Sequence, residues 1–210
     1  MKIVPFIYPD DDDLIANTYI AVDNNKCVII DPSKDYDGLI KFIKKNNLEP
    51  KAILLTHGHF DHMRGINVLL DTFHLPLYIG FYDQDNLIDG RKNLSSFFSN
   101  KPCVINCSPI TISNGDKIRV LSEDIEVIET PFHTEGSVCY YLKDSKILFS
   151  GDTLFKNSIG RDDLPGACPK KKKASLERIM QLPDDVKVYP GHGEFTNIGN
   201  EKKYNPFVNY

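Results

Sequence analysis

Three histidines and an aspartate fall within six residues of the stretch Thr56-His57-Gly58-His59-Phe60-Asp61-His62. Imidazole is the commonest metal-ligating side chain, and an adjacent carboxylate adds a hard oxygen donor, so the cluster is a candidate metal site. Directly before it runs Ala52-Ile53-Leu54-Leu55. A short apolar run that breaks into polar residues reads as a buried strand delivering a loop to one end of a sheet. Three more ligand-capable residues follow strand-like runs: His133 after Ile125 to Ile128, Asp152 after Lys146 to Phe149, and His192 after Val186 to Tyr189. Strand-end loops of a layered α/β protein gather at one edge, where sites are built. Five of the six histidines therefore lie in loops able to converge. The sixth, His74, closes a helix-like segment and reads as a helix-end residue.

The elements that must hold these loops follow in chain order. Lys2 to Tyr8 reads as a strand, ended by Pro9 and a solvated run from Asp10 to Asp13. Asn17 to Val22 and Lys26 to Ile30 form a hairpin around Asp23-Asn24-Asn25. Leu39, Ile40, Phe42, Ile43 and Leu48 recur at helical spacing and predict an amphipathic helix finished before Pro50. Ile66, Val68, Leu69, Leu70 and Phe73 predict a second helix, and Leu77 to Ile79 a short strand. Residues 81 to 103 read as polar helix and loop, and Asn114-Gly115-Asp116 as a turn. Ser137 to Leu142 pairs with Lys146 to Phe149 around Asp144-Ser145. Lys170 to Lys173 reads as a solvated loop before a helix over about Ala174 to Gln181. This order predicts two packed sheets with helices outside, in a single domain spanning residues 1–210.

Composition narrows the partners. A hydrophobic fraction of 41% with 26% charged residues is that of an ordinary globular protein. A net charge of -4 gives no electrostatic pull toward nucleic acid or a membrane surface. No apolar stretch approaches membrane-spanning length, and the run Met1 to Phe6 is too short for a signal peptide. The cysteines (Cys27, Cys103, Cys107, Cys139 and Cys168) are odd in number and contain no Cys-x-x-Cys pair. They read as free thiols in a reducing compartment, so a cytoplasmic location is expected.

Taken together, the motifs resemble the metallo-β-lactamase-fold hydrolases, and within them the short glyoxalase II-like branch. The resemblance rests on Thr56 to His62, on Thr130-Pro131-Phe132-His133-Thr134-Glu135-Gly136-Ser137, on Phe149-Ser150-Gly151-Asp152-Thr153-Leu154-Phe155, and on Tyr189-Pro190-Gly191-His192-Gly193. Asn17-Thr18-Tyr19 and Ile30-Asp31-Pro32 are similar to the family's early strands. The resemblance implies an αββα sandwich with a dinuclear metal site at one edge. By that likeness His57, His59 and His133 would hold one metal, Asp61, His62 and His192 the second, and Asp152 would bridge both. Aspartate rather than cysteine at position 152 is unlike the common zinc β-lactamases and similar to the thioesterase and oxygenase branches. Phe132 stands where the family has glycine, and Arg64 where it has a small residue; Phe132 is expected to reshape the substrate pocket. Only 18 residues follow His192, too few for the helical glutathione-binding domain of full-length glyoxalase II. The segment Ser158 to Gly166 is similar to that of short relatives, in which Arg161 would meet a substrate carboxylate; the alternative is a surface arginine paired with Asp162 or Asp163.

Three imidazoles and a shared carboxylate suit zinc, while the oxygen-richer second set also admits iron or manganese. Two neighbouring cations acidify a water enough to supply hydroxide near neutral pH, with Asp61 placed to orient it. No further acid stands beside the motifs to protonate a poor leaving group. A thiol, of ordinary pKa about 8.5, leaves without one, so the chemistry leans toward a thioester such as S-lactoylglutathione. Three rivals differ in class. A mononuclear iron oxygenase of the persulfide dioxygenase kind would use His57, His133 and Asp152. A nucleic-acid phosphodiesterase on the same scaffold would need an inserted domain or a basic channel. A silent binding module would not need all seven ligand positions filled.

Overall fold

The computed structural model describes residues 1–7, 15–34 and 37–208; the acidic run Asp10 to Asp13 lies outside them. The first half of the chain contributes β1 (Lys2–Phe6), β2 (Thr18–Asp23), β3 (Lys26–Ile30), α1 (Asp37–Lys45), β4 (Glu49–Leu54), α2 (Phe60–Met63), α3 (Ile66–Phe73), β5 (Leu77–Gly80), α4 (Ser95–Phe98) and β6 (Ile110–Ile112). The second half contributes β7 (Lys117–Ile118), β8 (Ile125–Glu129), β9 (Val138–Leu142), β10 (Ile147–Gly151), α5 (Lys172–Met180), β11 (Lys187–Pro190), β12 (Thr196–Asn197) and α6 (Ile198–Tyr204). Each half makes one six-stranded sheet, in the orders β1-β2-β3-β4-β5-β6 and β12-β11-β10-β9-β8-β7.

Alternation along the strands builds the layers. Tyr19, Ala21, Val28, Ile30, Ala52 and Leu54 of the first sheet meet Ile125, Val127, Val138, Tyr140, Leu142 and Phe149 of the second in one buried cluster. Ile20, Cys27, Ile29 and Ile53, one residue out of step, face the opposite way and bury Leu39 and Ile43 of α1 with Ile66 and Leu69 of α3. Cys139, Tyr141, Leu148 and Val188 do the same for Leu176 and Ile179 of α5 and Ile198 of α6. A period of two that is apolar on both faces requires cover on both faces. The result is helices, sheet, sheet, helices: the expected αββα sandwich.

Strand direction then sets where the ligand loops emerge. β3, β4, β5 and β6 are mutually parallel. β8 and β10 both run antiparallel to β9, and β11 runs parallel to β10. The C-terminal ends of β8, β10 and β11 therefore share one edge of the second sheet, as those of β3 and β4 share one edge of the first.

Several boundaries depart from expectation for local reasons. α1 stops at Lys45, because Asn47 adopts a left-handed φ of 51° and Leu48 N–H bonds back to the Ile43 carbonyl, which caps the helix. β4 begins at Glu49 rather than Ala52, and Pro50, which has no N–H to give, sits where the pairing with β3 shifts register. Lys170 to Lys173 is helical rather than a loop: Pro169 opens a 3-10 turn that runs into α5. Lys171, Lys172 and Lys173 pair with Glu135, Asp162 and Glu177. No helix among the described residues is long and apolar enough to cross a membrane.

Candidate metal centre

Five strand ends supply the site. β4 delivers the loop that carries His57 and His59 and runs into α2 with Asp61 and His62, while β8 delivers His133, β10 Asp152, β11 His192, and β3 the supporting Asp31. His59 Nδ1 lies 3.0 Å from His57 Nε2 and 2.9 Å from His133 Nε2. Asp61 Oδ2 lies 3.2 Å from His192 Nε2 and 3.7 Å from His62 Nε2. Asp152 stands between the groups, with Oδ1 3.3 Å from His62 Nε2 and Oδ2 3.4 Å from His133 Nε2 and 3.7 Å from His192 Nε2. Nitrogens bound to a tetrahedral zinc at about 2.0–2.1 Å stand roughly 3.3 Å apart, the spacing seen here.

The donor set passes a stricter test. Among the described residues, the buried side-chain atoms with no hydrogen-bond partner are His59 Nε2, His62 Nε2 and Asp152 Oδ1. Such orphans are costly and rare. Two of the three face one another across the proposed second metal position, where a cation satisfies both.

Buried groups hold the ligands in place. Asp31, at a left-handed φ of 47°, approaches His62 Nδ1 to 3.0 Å with Oδ2 and accepts from the Thr56 N–H at 2.8 Å and hydroxyl at 2.7 Å. Fixing Nδ1–H this way turns His62 Nε2 toward the site. His133 Nδ1 is held by the Arg161 carbonyl at 2.7 Å. Asp83 joins two ligand loops: it accepts from Gly58 N–H at 2.7 Å, Gly136 N–H at 2.9 Å and Thr134 Oγ1 at 2.7 Å. Its burial raises the carboxyl pKa, against those three hydrogen bonds. Gly151 sits at φ +49°, and a Cβ there would fall 2.4 Å from Thr56 Oγ1.

Charge divides the site in two. Burial, helped by the rings of His62 and His59, pushes the His57 imidazole far below its ordinary value, and burial with His133 lowers His59 to about 3. Burial acts the same way on His62, but Asp152, Asp61 and Asp31 overrule it and hold that ring well above the usual range. At His192 burial also opposes protonation, and Asp152 and the Asp61 hydrogen bond outweigh it. Burial would raise both carboxyls; the His192 and His62 rings hold Asp152 well below the ordinary range, and His62 and His192 lower Asp61.

A pocket of about 440 Å³ opens over His59, Asp61, His133, Asp152 and His192, with walls of Phe60, Leu94, Phe97, Phe98, Phe155, Leu164 and Pro165. Arg161 lines it too, but its guanidinium forks onto Asp163, with Nε to Oδ1 at 2.7 Å and Nη2 to Oδ2 at 2.9 Å. Phe132 does not reshape this pocket. Its side chain is fully buried beneath the second sheet among Ile128, Leu176 and Ile179, while the neighbouring His133 in the same turn faces the site. Sequence reasoning singled out neither Asp31 nor Asp83 as support, nor the wall of Leu94, Phe97 and Phe98. The one available signal was an aspartate at the end of β3, the strand beside β4.

Comparison with known proteins agrees with this geometry. Residues 11–192 match the metallo-beta-lactamase superfamily. The chain is 30% identical to "Hydroxyacylglutathione hydrolase GloC" of Haemophilus influenzae over 198 residues, covering 89% of each. It is 34% identical to the structure of BLEG-1 B3 metallo-beta-lactamase, with a TM-score of 0.92 and full coverage of both chains. It is 33% identical to TTHA1623 in a di-iron-bound form, with a TM-score of 0.85 over 97% of this chain and 99% of that one.

Proposed function

The chain belongs to the metallo-beta-lactamase superfamily, and from that premise we propose that it is a two-metal hydrolase cleaving a thioester. The observation that supports this reading is the convergence of seven ligand-capable side chains from both sheets, with His62 Nε2 and Asp152 Oδ1 buried there and lacking a hydrogen-bond partner. His57, His59 and His133 would hold one divalent cation and Asp61, His62 and His192 a second, with Asp152 placed to serve both. Zinc suits the nitrogen-rich first set; the di-iron-bound relative supports iron as an alternative. When bound, the pair supplies a hydroxide near neutral pH and polarises a carbonyl oxygen.

The chain's own residues determine the rest. Asp61, ionised and held by His192, is placed to accept a hydrogen bond from the attacking hydroxide and so to aim it. The apolar pocket walls exclude bulk water from the reacting carbon. Among the described residues lining the pocket, the ligands and Arg161 are the only ionisable groups. Arg161 does not give up its proton in a protein, so no side chain outside the ligands protonates a departing amine or alkoxide. A thiolate departs without that help. Likeness to GloC makes S-lactoylglutathione the reference thioester against which other acyl and thiol groups are compared.

The likeness to BLEG-1 favours a second reading, hydrolysis of a β-lactam amide. One experiment separates the readings: assay protein of measured metal content on S-lactoylglutathione, simple acyl thioesters and a β-lactam. Thioester turnover with about two metals per chain is expected. Faster turnover of the β-lactam would replace this reading with the second. A single bound iron and no hydrolysis would move the chain to the oxygenase class.

A further inference from the structure

The wall beside the candidate metal ligands includes two aromatic side chains that fold stability does not explain. Phe97 and Phe98, adjacent on α4, remain 66% and 63% exposed. Both line the pocket, together with Leu94, the residue before the helix, which adopts a left-handed φ of 70°. Leu94 is buried at the edge of the first-sheet core despite that backbone conformation, but two aromatic rings left largely in water gain little from their own burial. Phe98 stacks on Phe60 at 5.4 Å between centroids, and Phe60 immediately precedes the ligand Asp61. The apolar surface is thus continuous from the pocket mouth to the metal ligands. Opposite, Phe155 packs edge-on to His192 at 6.0 Å.

The polar chemistry of the pocket is already committed. Its ligand atoms face the metal positions, and the Arg161 guanidinium is taken by Asp163. The described lining therefore offers no buried side-chain donor outside the candidate ligands to read the hydroxyl of a lactoyl group, and its one cation is paired with a carboxylate of the same chain. Sites that select polar groups do so with buried hydrogen-bonding partners, and apolar walls reward apolar area instead.

We infer that the substrate carries an apolar group, a medium-length alkyl chain or an aryl ring, next to the scissile bond, and that Leu94, Phe97 and Phe98 select for it. This inference rests on the thioesterase reading and names its substrate class. Burial of an alkyl chain against these rings favours each added methylene by roughly three- to fourfold at full coverage. The apolar group belongs to either the acyl or the thiol side of the thioester; the chemistry of the wall is the same for both.

Two measurements test it. The first is kcat/KM of the metal-loaded enzyme on thioesters lengthened from acetyl to hexanoyl at one thiol, and on acetyl thioesters of thiols lengthened over the same range. A rise of about two- to fourfold per methylene along one series is expected, assigning the chain to that side, and Phe97→Ala and Phe98→Ala flatten it. The second is calorimetric titration of the metal-free chain with the uncleavable S-hexyl thioether of N-acetylcysteamine and with its S-methyl homologue. The hexyl compound binds at least about tenfold more tightly, and Phe97→Ala with Phe98→Ala removes the difference. Flat rates in both series, a preference for lactoyl over hexanoyl, or equal binding of the two thioethers overturns the inference while leaving a thioesterase in place. Preferential hexyl binding with no cleavage of any thioester overturns the thioesterase reading and leaves the apolar pocket standing.

Discussion

Asp152 offers one carboxylate oxygen to each side of the site, 3.3 Å from His62 and 3.4 Å from His133. Asp152→Ala should therefore reduce bound metal from about two ions per chain to one or fewer, read by elemental analysis. Unchanged metal content would refute the bridging role. Protons supply a second test. Without metal, His57 and His59 are neutral and Asp61 and Asp152 ionised, so these four have no proton to release near pH 7. His62 and His192 have raised values, His62 well above 6.5, and their protonated forms stabilise the metal-free fold below the unfolded value. That contribution fades as pH rises through the folded values. A metal must displace these protons, so loading at pH 7 should release about one to two protons per chain from His62 and His192, fewer at higher pH, in addition to up to about one from the water that becomes hydroxide. Calorimetry in buffers of different ionisation enthalpy measures the number, and zero release would exclude His62 and His192 as the groups displaced. The candidate ligands that the structure brings together were legible in the sequence, four of them as a cluster within six residues and His133, Asp152 and His192 as ligand-capable types after strand-like runs. The supporting roles of Asp31 and Asp83 were not, because their partners lie 25 to 53 residues away; Asp31 has only its place at the end of β3 to mark it, and nothing local distinguishes Asp83 from a surface aspartate.

Between strand β10 and its ligand, Gly151 makes the turn that aims Asp152. Its φ of +49° disfavours any side chain, and a Cβ would meet Thr56 Oγ1 at 2.4 Å. Gly151→Ala should cost about 1–3 kcal/mol, lower Tm by roughly 2–10 °C, and reduce metal content, since Thr56 precedes His57. Gly115→Ala is the matched control. Its φ of +85° imposes strain, but open space surrounds the position, so Tm should fall while metal content holds. Metal loss in both variants would mean that stability, not the Thr56 contact, governs the site. Elements with strong periodicity were legible: the α3 span Ile66–Phe73 and the hairpin of β2 and β3 follow from spacing and turn residues. α6 was not. Its sequence IGNEKKY buries only Ile198 and Glu201, and its clearest signal is the Asn197 cap accepting from Asn200 N–H at 2.8 Å. β7 and β12, two residues each, exist only through their neighbours in the sheet.

Across the whole molecule, the two sheets meet through an apolar interface that needs no metal. Hydrogen bonds beside the site reinforce it: Tyr19 donates to the Pro190 carbonyl at 2.6 Å, Tyr140 to Leu55 at 2.9 Å, and Val138 N–H to Thr56 at 2.9 Å. The metal ligands span the same seam, His57, His59, Asp61 and His62 from the first sheet, His133, Asp152 and His192 from the second. Bound metals therefore act as added cross-links on a fold already formed, and they bind the native state without a matching site in the unfolded chain. At a free metal concentration about 1,000 times Kd, that linkage contributes about 4 kcal/mol for each site, or roughly 8–16 °C in Tm per ion for a chain of this length. Chelation should lower Tm by about that amount while the far-UV circular dichroism at 25 °C stays unchanged. A chain that unfolds at 25 °C on chelation would show that the apolar seam is too weak alone. A Tm indifferent to chelation would show that these seven residues do not hold metal, and the proposed chemistry would fall with them.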